Sequence, residues 1–204
     1  TSVGVNVVGN VDCDSLNNSG ISTFANDVEF SGASANITFD KSADDLIFMD
    51  NAKAVFGTSS DGLEIYHNGS TSYLVDSGTG DLIIRASDQL KIQDTDNGES
   101  MAIFNKDGAV ELYHNNYKTL STRNNGIEVT GPDTDAAIIG LNADNADDNA
   151  DKWQVLAAAD GNFVIRNYST GSWVSGLTLD GSNNATFAAQ LSVTGNILAN
   201  DEIG

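Results

Sequence analysis

The residues able to do chemistry in this sequence are few in kind and unevenly supplied. There are two histidines, His67 and His114, one cysteine, Cys13, and 29 aspartates and glutamates against nine lysines and arginines. Paired carboxylates are the machinery of glycoside hydrolysis. At this density, however, some pair always has a suitable spacing, so spacing alone selects none. The richest acidic stretch is Asp144-Asn145-Ala146-Asp147-Asp148-Asn149-Ala150-Asp151. Asp147, Asn149 and Asp151 follow the alternate spacing of a calcium loop. Lys152 then stands where such a loop needs glycine, and Ala158 where it needs a bidentate glutamate. The expectation is a solvated turn, with those three residues as the weaker candidate for a cation loop.

The histidines recur in one context, Tyr66-His67-Asn68 and Tyr113-His114-Asn115. In a strand, His67 shares a face with Leu63 and Ile65, and His114 shares one with Val110 and Leu112. Around a threefold axis each would form a ring of three imidazoles able to hold a metal or an anion. Neither comes with further ligands at a diagnostic spacing, so a strand-end histidine bonded to a turn is the simpler expectation. No metal and no cofactor is expected. Cys13 lies between Asp12 and Asp14, where negative charge disfavours a thiolate, and a single cysteine forms no internal disulfide. The sequence contains no Gly-x-Ser-x-Gly, His-Glu-x-x-His, phosphate loop or Cys-x-x-Cys. The expectation is a non-catalytic chain.

Six aromatic residues are candidates for receptor contact, because aromatic faces stack on sugars and anchor protein interfaces. Tyr66 and Tyr113 fall opposite the apolar parity of their strands and should point outward or toward a neighbouring chain. Tyr117, Trp153, Tyr168 and Trp173 sit near polar or glycine-rich stretches. Packing across an interface between copies is the competing role for Trp153 and Trp173.

These side chains must be carried on strands. Alternation of period two recurs in Leu63-Glu64-Ile65-Tyr66, Val110-Glu111-Leu112-Tyr113, Ile127-Glu128-Val129, Leu177-Thr178-Leu179 and Leu191-Ser192-Val193. Turn pairs punctuate the runs: Asp61-Gly62, Asn68-Gly69, Asn97-Gly98, Asp107-Gly108, Asn125-Gly126, Asp160-Gly161 and Asp180-Gly181. The run from Asp61 to Asn68 returns from Asp107 to Asn115, and Thr23 to Gly32 lines up with Thr186 to Gly195. Each short strand offers two or three apolar side chains on one face, which a lone hairpin does not bury. The turn spacing lacks the strict period of a single-chain solenoid. The expected fold is therefore all-β with little or no helix: an elongated homotrimeric fibre of short strands, as a β-prism or interlaced triple β-helix. Four segments are expected. Residues 1–48 form an N-terminal repeat shaft and 49–131 the duplicated Tyr-His-Asn region. Residues 132–183 form an acidic loop with hairpins, and 184–204 a C-terminal shaft repeat.

The repeated residues also carry a resemblance. Asp50-Asn51-Ala52-Lys53-Ala54-Val55-Phe56-Gly57, with Gly62-Leu63-Glu64-Ile65-Tyr66-His67-Asn68-Gly69, resembles the virion fibre proteins of marine tailed phages. Gly20-Ile21-Ser22-Thr23-Phe24, Gly78-Thr79-Gly80-Asp81-Leu82 and Asp147-Asp148-Asn149-Ala150-Asp151-Lys152-Trp153 look like recurring elements of the same proteins. So do Leu177-Thr178-Leu179-Asp180-Gly181 and Ala185-Thr186-Phe187-Ala188. The resemblance implies a tail fibre, assembled in the host cytoplasm, whose partners are its own copies, other tail proteins and a host surface receptor or glycan. Many such fibres end in a self-cleaving chaperone that assists trimerisation; nothing here matches one. A capsid-decorating fibre or adaptor, a polysaccharide-degrading tailspike and, more distantly, a cellular adhesin are the alternatives.

The charge balance points the same way. A net charge of −20 repels phosphate backbones and anionic head groups, so neither nucleic acid nor membrane insertion is expected. In a salty medium the self-repulsion is screened within a short Debye length. Apolar residues at 40% are too many for a disordered chain.

Overall fold

A computed structural model describes residues 8–10, 12, 15, 17–58 and 60–194. Cys13 and Gly195, the last residue of the terminal repeat, lie outside the described residues. The chain forms two compact units, residues 1–83 and 84–204, and the two Tyr-His-Asn copies are divided between them.

The first unit holds two three-stranded antiparallel sheets. One is β1 (Val28–Phe30), β2 (Ile37–Asp40) and β3 (Asp45–Phe48); the other is β4 (Ala54–Thr58), β5 (Asp61–His67) and β6 (Ser72–Asp76). The second unit holds two five-stranded sheets. In chain order the third sheet is β7 (Gln89–Gln93), β8 (Ser100–Asn105), β9 (Val110–His114), β10 (Tyr117–Arg123) and β11 (Gly126–Val129). The fourth is β12 (Ala137–Asn142), β13 (Lys152–Ala157), β14 (Phe163–Asn167), β15 (Val174–Leu179) and β16 (Ala185–Phe187). The protein is all-β, as the alternation predicts, and its only helical pieces among the described residues are single 3-10 turns at Asp144–Ala146 and Asn149–Asp151. Every strand bonds only to its neighbours in sequence, so all four sheets are meanders.

The turns follow from the residues that tolerate positive φ. Asn115 (φ 48°) and Asn116 (φ 63°) make the tight reversal from β9 to β10, which sets His114 opposite Tyr117. Asn68 closes the corresponding turn after β5 differently: its side-chain oxygen accepts the backbone N–H of Ser70 at 3.1 Å and of Thr71 at 2.9 Å. Asp61-Gly62 is not the turn that its composition suggests. It opens β5, with Gly62 directly opposite Gly57. Gly57 takes the positive φ, +129°, and a Cβ there would meet the Asp61 carbonyl oxygen at 2.6 Å. The two glycines thus let the strands close ahead of the expected reversal.

The terminal repeat is not reproduced as one element. Val28–Phe30 is β1, whereas the aligned Leu191-Ser192-Val193 lies outside any strand. Conversely, Thr186-Phe187 belongs to β16 while the aligned Thr23-Phe24 is not in a strand. The available partner decides this: β15 lies ready to pair with β16.

Candidate functional site

Strand register sorts the side chains of each sheet onto two faces. In the first sheet Val28, Phe39 and Leu46 are in line across the strands, as are Phe30, Ile37 and Phe48, and all six share one face. In the second, Ala54, Phe56, Leu63, Ile65 and Leu74 share a face. In the third the apolar face carries Leu90, Ile92, Ala102, Phe104, Val110, Leu112, Leu120 and Val129. In the fourth one face carries Ile139, Leu141, Trp153, Val155, Phe163, Ile165 and Phe187, and the other, which bears the charges, also holds the buried Leu156 and Val164.

Little covers these faces. Phe56 is 63% exposed, Leu74 50%, Leu112 43% and Leu141 54%. Among the described residues only Ala52, Ala102, Leu156 and Val164 are buried apolar side chains, and no large side chain is fully enclosed. Within the second unit, an open apolar depression lined by Ile127, Val129, Ala137, Ile139 and Phe163 runs from the third sheet to the fourth.

Charge is placed with equal regularity. In the first, third and fourth sheets every charged strand residue lies on the face opposite the apolar one: Glu29, Asp40 and Asp45; Lys91, Glu111, Lys118, Arg123 and Glu128; Lys152 and Arg166. The second sheet departs from this only at its strand ends, where Asp61 and Asp76 flank the apolar row.

The charged faces hold paired clusters that the repeat spells out. On β5, Glu64 accepts Lys53 Nζ at 2.8 Å, and the same ammonium lies 4.7 Å from the Tyr66 ring centroid. Tyr66 stacks on Tyr73, its cross-strand partner, at 4.8 Å. On β9, Glu111 accepts Lys118 Nζ at 3.1 Å and the Tyr113 hydroxyl at 2.8 Å. The Tyr113 bond, then the Lys118 bond, hold the Glu111 carboxyl below its ordinary value of 4.5, and the Tyr113 hydroxyl is correspondingly raised. Next to this group, Arg123 pairs with Glu128, whose carboxyl is likewise lowered, and the buried Ser121 hydroxyl donates to Glu128. Tyr66 and Tyr113 therefore do lie opposite the apolar rows, but half-buried in polar clusters. Lys53, Glu64, Tyr73, Glu111 and Lys118 escape a reading by motif; the duplicated Glu-x-Tyr signals the two glutamates, and the other three follow only from strand register.

The two histidines end their strands on the apolar side, at the exposed rim. His67 Nδ1 lies 3.1 Å from Ser72 Oγ, its cross-strand partner, and His114 faces Tyr117, which is 54% exposed. In the acidic loop the carboxylates of Asp147, Asp148 and Asp151 lie within 4.8 Å of one another. Asp148 joins the group because the 3-10 turn brings positions three apart together, and its backbone N–H donates to Asp151 at 3.3 Å. The loop is tied to the sheet by Trp153, whose Nε1 donates to the Ala150 carbonyl at 3.1 Å.

The remaining aromatics meet on the charged side of the fourth sheet. Tyr168 and Trp173 pack edge to face with centroids 5.2 Å apart. Lys152 Nζ lies 5.8 Å from the Tyr168 centroid, and the Arg166 guanidinium carbon 5.1 Å from that of Trp173. Cation–π attraction favours both arrangements. Among the described residues no helix is long and apolar enough to cross a membrane. No protein-family model matches this chain, and no curated protein sequence matches it significantly.

Proposed function

We propose that this chain is a structural, non-catalytic segment of a homotrimeric fibre on a tailed-phage virion, serving attachment to the host surface. The observation that carries the association is the largely uncovered apolar face presented by every sheet, uncharged in three of the four. A sheet with one apolar face is stable only when that face is covered, and the described residues enclose almost no core. Whatever covers it must be apolar and must tolerate a chain of net charge −20. A copy of the same chain meets both conditions, because its strand carboxylates, Asp61 and Asp76 at the strand ends apart, are turned to the opposite face. Three copies, each turning apolar faces inward, also present the charged clusters to solvent. The phage setting and the attachment role rest on the sequence resemblance.

Sedimentation velocity with light scattering, in near-seawater salt, tests the association. A mass of three chains is expected, and a folded, soluble monomer would overturn it. Labelled antibody on intact particles tests the location: tail labelling is expected, and labelling over the capsid would instead identify a decorating fibre.

A further inference from the structure

We propose that Arg166, Lys152, Tyr168 and Trp173 form a binding site for an acidic saccharide, a sugar ring that bears a carboxylate. The inference rests on the attachment reading above and gives it a ligand class and a place on the chain. Arg166 is half-buried on β14, and its Nε donates to Gln154 Oε1 at 2.8 Å across the ladder. That bond fixes the plane of the guanidinium. Its two terminal nitrogens have no acceptor among the described residues, and neither does Lys152 Nζ.

Among the described residues six of the nine cations lack a carboxylate partner, and Arg166 and Lys152 are the two of these that lie against aromatic rings. Carboxylates outnumber cations 29 to nine, and Lys53, Lys118 and Arg123 on the other sheets each pair with a glutamate. Arg166 and Lys152 are instead held against aromatic rings. A guanidinium with both terminal nitrogens free matches a carboxylate fork to fork. The adjoining indole, still 37% exposed, offers an apolar face for the C–H side of a pyranose. A bare inorganic anion would use the fork and leave the rings idle. A nucleic acid or other polyanion would be repelled by Asp147, Asp148 and Asp151, which lie just before Lys152 in the chain. The combination fits one carboxylate per sugar ring.

The test is calorimetric titration of the intact chain with the methyl glycoside of galacturonic acid, a single acidic ring, and with its methyl ester, which keeps the ring and removes the charge. The acid should bind about tenfold or more tightly than the ester. Arg166→Lys, which keeps the charge and loses the fork, should lower acid binding toward the ester level, and Trp173→Ala should weaken both. Lys152→Gln has no hydrogen bond to lose and serves if Arg166→Lys does not fold, as judged by circular dichroism. Equal binding of acid and ester, no binding of either, or binding unchanged in Lys152→Gln and Trp173→Ala would overturn the site. The mass measurement separates the two ideas. A three-chain particle without acid-selective binding sinks the site alone, whereas a folded monomer sinks the fibre reading whatever it binds.

Discussion

Tyr66 on β5 and Tyr73 on β6 are directly opposed across the ladder, with rings stacked 4.8 Å apart at 15°. Lys53, already bonded to Glu64, caps the stack from 4.7 Å. This ties β5, β6 and the residue that leads into β4 together on the charged side of the second sheet. Truncating Tyr73→Ala should cost about 1–2 kcal/mol, part of it packing and part the ring–ring term. Denaturant midpoints at fixed chain concentration check this. A double-mutant cycle of Lys53→Ala with Tyr66→Ala, the ring that the ammonium faces, should return a coupling of about 0.5–1 kcal/mol.

A carboxylate placed in an apolar row should block association. Phe104 lies on the apolar face of β8, in line with Leu90 and Val110. Phe104→Asp should abolish the three-chain mass in sedimentation velocity. Lys91→Glu, on the other face of the same sheet, should leave it unchanged. Equal effects of the two would mean that net charge, not the face, governs assembly.

Gly57 and Gly140 are both strand glycines with opposite expectations. Gly57 combines φ +129° with a Cβ position 2.6 Å from a carbonyl oxygen, while a Cβ on Gly140 meets nothing within 4 Å. Gly57→Ala should therefore cost about 1–3 kcal/mol. Gly140→Ala should stay within about 0.5 kcal/mol of the parent. Thermal or denaturant unfolding of the two variants side by side decides it.

The lowered Glu111 carboxyl gives the stability a pH dependence of known sign. A carboxyl depressed on folding contributes fully above its ordinary value, 4.5 here, and loses that contribution as pH falls through its folded value. Glu111→Gln should therefore flatten the loss of stability below about pH 4.5. Acid also relieves the general repulsion among the carboxylates, but that relief is nearly the same in both proteins. Their difference in unfolding midpoint between about pH 3 and pH 7 isolates Glu111.

Much of the local architecture was legible in the chain. Val110-Glu111-Leu112-Tyr113 announces β9 and assigns each residue to its face, because parity is a property of the backbone alone. What parity leaves open is the partner. The lysine that meets Glu64 comes from just before β4, and the one that meets Glu111 comes from β10. The same repeat thus uses opposite neighbours, a choice made by register. Asp61-Gly62 misled because Gly57 absorbs the strained conformation first. A calcium-loop spacing counts alternate residues and so omits Asp148, whereas a 3-10 turn gathers every third. The grouping of Arg166 with Trp173 depends on β14 and β15 being adjacent, which no spacing in the sequence spells out.

The meander connectivity has a consequence for heredity. Because each strand pairs only with its chain neighbours, no ladder among the described residues reaches from one sheet into another. A recombination event that duplicates or deletes a whole sheet therefore leaves every other ladder with its partners. The Tyr-His-Asn duplication, placed on the middle strand of the second sheet and again on that of the third, has the form such an event would leave. Length in a chain built this way can change by whole modules between lineages while each module keeps its own folding instructions.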